Sequence, residues 1–368
     1  MRVLMISKAC IVGAYQRKLE ELARFPGMEL LVAVPPYWRE GKGILPLERT
    51  YTSGYDLRVL PMVFNGSFHI HFYRGLDALG RHFRAEIMHI DEEPYNLATF
   101  QAMRSAQRYK AQALFFTWQN LLRHYPPPFS FFECYNLAHA ACAIAGNQEA
   151  QEVLRAKGYQ GAIHVLPQFG VDPALYRKSQ ERPADARARF VIGYIGRLVE
   201  EKGVHNLLQA VAGLDGDWAL RLVGTGPYAS HLQALSLQLG IGERVALVGQ
   251  VPSAEIPRTL NELDVVVLPS LTRRNWKEQF GRILIEAMAC EVPVVGSSSG
   301  EIPHLIADAG LIFPEGNVEA LQHALSKLMH EPELRLGLGR KGRARVLAHY
   351  TQQHIAAETY ALYQRLLP

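Results

Sequence analysis

Short apolar runs alternate with helical stretches along this chain, in two successive series. In the first series the runs are residues 2–6, 28–34, 85–90, 113–116, 140–145 and 162–166. In the second they are 190–195, 218–223, 245–248, 264–268 and 292–295. Runs that are apolar on both sides suit parallel strands buried between helices. Helical periodicity lies between many of them, for example at 204–211, 229–239 and 282–289. Strand and helix in alternation, twice over, predicts two Rossmann-like, doubly wound α/β domains. A length of 368 residues fits two domains, and a chain that is 48% hydrophobic and 20% charged can bury a core in each.

Pro167, Gly170, Pro173 and Pro183 cluster in a polar stretch and predict a boundary near 167–183, dividing the chain into domains 1–170 and 171–368. The tail at 332–367 reads as helix throughout, with Gly337, Gly339 and Gly342 as soft points, and the segment at about 350–368 is free to pack back on the first domain. Two such domains leave a central cleft. Ligands of open α/β sheets sit outside the carboxyl ends of strands, so function is expected in the loops that follow strands and face that cleft.

Bulk properties exclude several classes. The net charge is +4, and the first 170 residues carry 18 basic and 14 acidic side chains against 21 of each in the remainder. That excess is too dilute for a nucleic-acid binder but is compatible with anionic substrates or an acidic membrane surface. Cys10, Cys134, Cys142 and Cys290 show no C-x-x-C or metal-ligand spacing, so they read as small buried thiols in a reducing compartment, and no metal site is expected. The amino-terminal run is interrupted at Lys8, which fits a buried strand better than a signal peptide. No apolar run approaches the roughly 18–20 residues of a membrane span. The expectation is a cytoplasmic protein, attached to a membrane at most peripherally. The segment 69–84 sets Phe72, Leu76, Leu79 and Phe83 at helical spacing among Arg74, Arg81, His82 and Arg84; it suits core packing or a membrane-surface helix.

The segment 277–289, KEQFGRILIEAMA, follows the run at 264–268 and opens a helix. Gly281 permits close backbone approach, and the unpaired first N–H groups of the helix suit a pyrophosphate. Glu286 is an acid on an otherwise apolar face. At about 1.5 Å per helical residue, Glu278 and Glu286 stand up to about 12 Å apart, enough for one to accept ribose hydroxyls and the other a sugar beyond the diphosphate. The segment 193–203, GYIGRLVEEKG, follows the first strand of the second series. Gly196 allows a tight turn, and Arg197 and Lys202 can both reach a phosphate.

Taken together, these segments resemble glycosyltransferase family 4, a retaining family of GT-B fold. The resemblance rests on Glu278 and Glu286 with Phe280-Gly281 and Ala287-Met288-Ala289 between and after them, and on Gly196-Arg197 with Glu201-Lys202-Gly203. It extends to Gly224-Thr225-Gly226-Pro227, to Pro167 with Gly170-Val171-Asp172, and to Pro293-Val294-Val295 with Gly300-Glu301-Ile302-Pro303. It spans most of 165–350. It implies that Glu286 binds ribose, that Arg197 and Lys202 neutralise the diphosphate, and that Glu278 with the backbone of Gln279, Phe280 and Gly281 holds the donor sugar and its phosphate. The base is expected near Val251, and the acceptor in the first domain.

The first domain is less typical of that family. Its first loop carries one glycine, Gly13, available to the donor diphosphate. After the run at 85–90 the sequence reads His89-Ile90-Asp91-Glu92-Glu93, with Asp91 where many members carry a second histidine. Asp91 joins Arg197, Lys202 and Glu278 in the expected catalytic set, though not as a nucleophile. His89, Glu92, Trp118 and Asn120 are the candidate acceptor contacts, Trp118 because an indole stacks on sugar faces.

The reading is thus a retaining hexosyltransferase that takes a UDP- or GDP-sugar and passes the sugar to a saccharide or lipid-linked acceptor. The protein's contribution to a front-face displacement is electrostatic and positional. No cofactor is expected beyond the donor. A nucleotide-sugar epimerase of GT-B fold and a non-catalytic nucleotide-sugar-binding subunit are the alternatives. An NAD dehydrogenase is disfavoured because no G-x-G-x-x-G follows the first strand.

Overall fold

The computed structural model describes residues 1–41, 43–179 and 189–367, and the predicted boundary marker Pro183 lies outside them. The chain forms two compact units, one of Met1–Gly170 with Gln352–Pro368 and the other of Val171–Thr351. The last 17 residues therefore belong to the first unit rather than to a second domain running to 368.

The first unit is built on a seven-stranded parallel sheet. Its order is Ala162–Val165, Cys142–Ala145, Gln112–Thr117, Ile87–Ile90, Arg2–Ile6, Glu29–Val34 and Asp56–Val59. Five of these strands are nearly solid with buried Val, Ile, Leu, Ala and Phe, as a sheet covered on both faces requires. Leu76, Ala98, Ala102, Met103 and Ala106 fill one face and Leu19, Leu22, Ile355 and Tyr363 the other. Asn147 caps the helix Gln148–Ala156 by accepting from the Ala150 amide at 2.8 Å, a contact worth about 1 kcal/mol.

The second unit carries a six-stranded parallel sheet in the order Val245–Gly249, Trp218–Val223, Phe190–Ile195, Val265–Leu268, Val294–Ser297 and Leu311–Phe313. In both sheets the first strand in sequence sits mid-sheet and the chain winds outward from it both ways, which is the Rossmann order. The switch points fall between Arg2–Ile6 and Ile87–Ile90 in one unit, and between Phe190–Ile195 and Val265–Leu268 in the other.

Several expectations change. The strands Asp56–Val59 and Leu311–Phe313 lie at sheet edges; the first is mostly exposed and polar at alternate positions, and the second is an apolar run of only three residues, too short to stand out. The stripe at 69–84 is not one helix: Phe72–Tyr73 pairs antiparallel with Met62–Val63, Gly75 turns at φ +82, and the helix is Leu76–Phe83. Leu76, Leu79 and Phe83 face the core. The tail helix breaks at Tyr350–Thr351 into Pro332–His349 and Gln352–Leu366, and not at its glycines. Gly339 and Gly342 are instead close-packing points, where a Cβ would meet the Glu291 carbonyl at 2.3 Å and Met288 Cγ at 2.9 Å. Cys134 is exposed, unlike the other three cysteines.

Candidate active site

In the second unit the candidate charges Arg197, Lys202 and Glu278 lie on the loops after the two strands that flank the switch point. After Phe190–Ile195 the chain turns through Gly196 and Arg197 into a short 3-10 turn, Glu200–Lys202. After Val265–Leu268 it runs through Ser270 and Trp276 to Glu278. Lys202 Nζ donates to Glu278 Oε2 at 2.6 Å, and Ser270 Oγ donates to the same oxygen at 2.7 Å. The ammonium also lies 5.0 Å from the Trp276 ring centroid. The loops are tied together by backbone: the Leu271 amide donates to the Glu201 carbonyl at 2.8 Å, and a Cβ at Gly203 would come within 2.0 Å of the Pro269 carbonyl.

Arg197 leaves this assembly as an exposed guanidinium, 4.0 Å from Glu201. Its backbone is tied by hydrogen bonds. Tyr194 Oη donates to the Arg197 carbonyl at 2.7 Å, and the Leu198 amide donates to the Thr225 carbonyl at 2.9 Å. Gly224, at φ +138, and Gly226 let the next loop lie against this one; a Cβ there would approach the Gly196 and Leu198 carbonyls to 1.9 and 2.1 Å. Gly249, at φ +76, precedes half-buried Val251 and accepts the Gly224 amide at 2.7 Å.

The helix expected at 282–289 is Arg282–Ala289, with Gly281 at its N-cap in the left-handed region (φ +81) and no side-chain cap on its first amides. It begins after Glu278, so helical rise does not describe the Glu278–Glu286 separation. Gln279 is exposed and Phe280 half-buried. Glu286 is buried. Arg282 Nε lies 2.7 Å and Tyr176 Oη 3.2 Å from its Oε1, so both contacts fall on one oxygen. Burial raises its carboxyl pKa against the pull of Arg282 and Tyr176.

In the first unit the switch-point acids are buried and held. Asp91 accepts from Ser7 Oγ at 2.6 Å and from Gln168 Nε2 at 2.8 Å, and burial raises its pKa. Glu92 pairs with Lys8, with His71 Nε2 at 3.5 Å and with Tyr73 Oη at 3.4 Å. Burial opposes its ionisation, but Lys8 and His71 bring it down to about 2. Glu93 accepts from Thr117 Oγ1 at 2.6 Å and from the Trp118 amide at 2.8 Å, and burial pushes it up to about 7.

The remaining candidates in this unit are also engaged. His89 is buried, with Nδ1 2.6 Å from Tyr363 Oη. The indole of Trp118 donates to Gln168 Oε1 at 3.0 Å and its ring lies over Gly146, where a Cβ would come within 2.2 Å. Asn120 Nδ2 donates to Glu149 Oε2 at 3.2 Å, and the Gly13 amide donates to Glu48 Oε2 at 2.6 Å. Sequence reasoning missed Ser270, Trp276 and Tyr176 around the second-unit site and Ser7, His71, Tyr73 and Gln168 in the first. Only Lys8 gave a signal, as a charge breaking an apolar run.

Residues 175–345 match the family described as glycosyl transferases group 1. That stretch holds Arg197, Lys202, Glu278 and Glu286 together.

Among curated relatives of such transferases, this chain is 32% identical over 199 residues to a GDP-mannose-dependent alpha-(1-6)-phosphatidylinositol monomannoside mannosyltransferase of Mycolicibacterium smegmatis, covering 50% of this chain and 52% of that protein. It is 28% identical over 253 residues to a 2-deoxystreptamine glucosyltransferase of Streptomyces kanamyceticus, covering 64% and 63%. The matched stretch thus spans between half and two-thirds of these relatives. Among solved structures, a sucrose-phosphate synthase from Thermosynechococcus elongatus superimposes with a TM-score of 0.74 at 21% identity, covering 100% of this chain and 99% of that one. Anabaena HepE in complex with UDP gives 0.78 at 18% identity, covering 99% and 100%. The fold is GT-B.

Proposed function

We propose that this protein is a retaining glycosyltransferase that moves a hexose-type sugar from a UDP- or GDP-sugar to a saccharide or lipid-linked acceptor. The observation that carries the reading is the Lys202–Glu278 pair at the second unit's switch point, beside exposed Arg197 on the same loop. Two cations on one strand-end loop suit a diphosphate, and an acid within bonding distance of one of them suits the hydroxyls of the attached sugar. The uncapped amides after Gly281 add a second anion contact. Glu286, with its two contacts on Oε1, has Oε2 to accept ribose hydroxyls.

In the reaction the C1–O bond to phosphate breaks as the acceptor oxygen bonds C1 on the same face, and the acceptor proton passes to the departing phosphate. Arg197 and Lys202 stabilise the charge growing on that phosphate. Asp91, held by Ser7 and Gln168, fixes its strand-end loop and is not a nucleophile. The GDP-mannose-dependent relative and the UDP complex of HepE support a nucleotide-sugar donor.

The test is a thermal-shift screen of UDP, GDP, ADP and their sugars. One nucleotide raises the melting temperature of the wild type and fails to do so for Arg197→Ala and Glu286→Ala. No shift with any of them, or an undiminished shift in both variants, overturns the reading.

A further inference from the structure

On one face of the first unit, the helices Leu76–Phe83, Leu97–Tyr109 and Phe129–His139 surround a pocket of about 720 Å³. That is within the roughly 300–1,000 Å³ of small-molecule sites. Asp91, Glu92 and Trp118 do not line it. Its apolar wall is Phe72, Leu97, Phe100 and Tyr135, and its basic wall is Arg104 and Arg108.

The charges are unbalanced. Asp77 is the acid among the lining residues, and it is taken by Arg108 at 3.1 Å, Tyr109 Oη at 3.0 Å and Ser105 Oγ at 3.2 Å. Arg104 is exposed and lies 5.8 Å from the Phe100 ring centroid. Two exposed aromatic side chains outside the lining touch its apolar wall. Phe131, 58% exposed, meets Phe100 edge-on at 5.6 Å, and Phe64, 56% exposed, meets Phe72 at 6.2 Å. Phe64 is held outward at φ +52, a left-handed conformation unfavourable for a residue with a side chain. An aromatic wall, exposed aromatic side chains packed beside it and a guanidinium over the Phe100 ring match a molecule with one apolar end and one anionic end.

We propose that this pocket binds an anionic amphiphile, its apolar chain against Phe72, Phe100 and Tyr135 and its anionic head at Arg104. The site is distinct from the donor site and does not depend on the proposed transfer reaction. Its wall is joined to the first-unit switch point: Gln101 exchanges two hydrogen bonds with the Tyr73 backbone, at 3.0 and 2.7 Å, and Tyr73 Oη reaches Glu92.

The test is calorimetric titration of the full-length protein with octyl phosphate below its micellar concentration, beside octanol and inorganic phosphate. Octyl phosphate binds one per chain and about tenfold tighter than either half-molecule. Arg104→Glu weakens it by about tenfold or more, Phe100→Leu weakens it with the melting temperature retained, and the exposed edge-strand variant Arg58→Glu binds as wild type. Sedimentation with phosphatidylglycerol-containing vesicles, against pure phosphatidylcholine, separates the sources. Arg104-dependent sedimentation identifies a bilayer lipid, and its absence alongside octyl phosphate binding identifies a free amphiphile. Failure of octyl phosphate to bind, or equal binding by Arg104→Glu, overturns the proposal.

Discussion

Lys202 and Glu278 stand 76 residues apart in sequence and 2.6 Å apart in the structure, joined where the second sheet reverses its winding. Both side chains are largely buried, so the pair is sensitive to loss of either partner. Removing one member of such a pair costs about 3–5 kcal/mol, because the other is left uncompensated. Lys202→Ala is therefore expected to lower stability by about 3 kcal/mol in urea unfolding. Lys202→Ala with Glu278→Gln recovers most of that stability and leaves nucleotide binding impaired. A double variant as unstable as the single one would show that the pair is not the source of the loss.

Arg197 predicts the opposite balance. Its exposed side chain carries little of the fold, so Arg197→Ala leaves the melting temperature unchanged. Nucleotide diphosphate affinity falls by about tenfold or more, with a weaker salt dependence, measured by calorimetry at two ionic strengths. Unchanged affinity would remove Arg197 from the diphosphate site.

Glycine substitution separates backbone conformation from contact. Gly240 has φ +70 and nothing within 4 Å of where a Cβ would sit, so Gly240→Ala costs about 1–2 kcal/mol, from the left-handed backbone alone. Gly224 has φ +138 and would place its Cβ 1.9 Å from the Gly196 carbonyl. Gly224→Ala is expected to lose several-fold more stability and to weaken nucleotide binding by displacing the Arg197 loop. Equal melting temperatures for the two variants would contradict this.

Glu93 sets a pH dependence. Its folded carboxyl is raised from 4.5 to about 7, so between those values the folded protein holds a proton that the unfolded chain has released. Stability from this group is present below pH 4.5 and falls as pH rises to about 7, by on the order of 3 kcal/mol. Glu93→Gln is expected to flatten that decline. Glu92 works the other way: its pKa of about 2 contributes stability above pH 4.5 that is lost as pH falls toward 2. Denaturant titrations of wild type and Glu93→Gln across pH 4–8 check the sign, which is wrong if the variant's slope matches the wild type's.

The second-unit site was largely legible in the sequence because its residues come in contiguous motifs. Gly196-Arg197 and Lys202-Gly203 sit directly after one strand, and Gly281 opens the helix that carries Glu286, so local spacing already places them at strand and helix ends. The first unit was less legible. Asp91, Glu92 and His89 read as groups at the mouth of a cleft, but each is engaged by a side chain from another segment: Gln168 for Asp91, His71 for Glu92 and Tyr363 for His89. No local pattern encodes such pairings.

Periodicity and backbone freedom are local properties, and through them the sequence by itself determined two parallel α/β sheets, most of their central strands, and the glycine-bearing loops of the second. Apolar runs report burial on both faces, and left-handed or crowded positions demand glycine whatever lies around them. Tertiary structure alone decided two of the edge strands, Asp56–Val59 and Leu311–Phe313, one too polar and the other too short to stand out as a run. It also decided the return of Gln352–Leu366 to the first unit and which acids are buried and paired. These depend on contacts between segments separated by tens to hundreds of residues, and the charge state of a carboxylate such as Glu93 is set by the low-dielectric surroundings those contacts create.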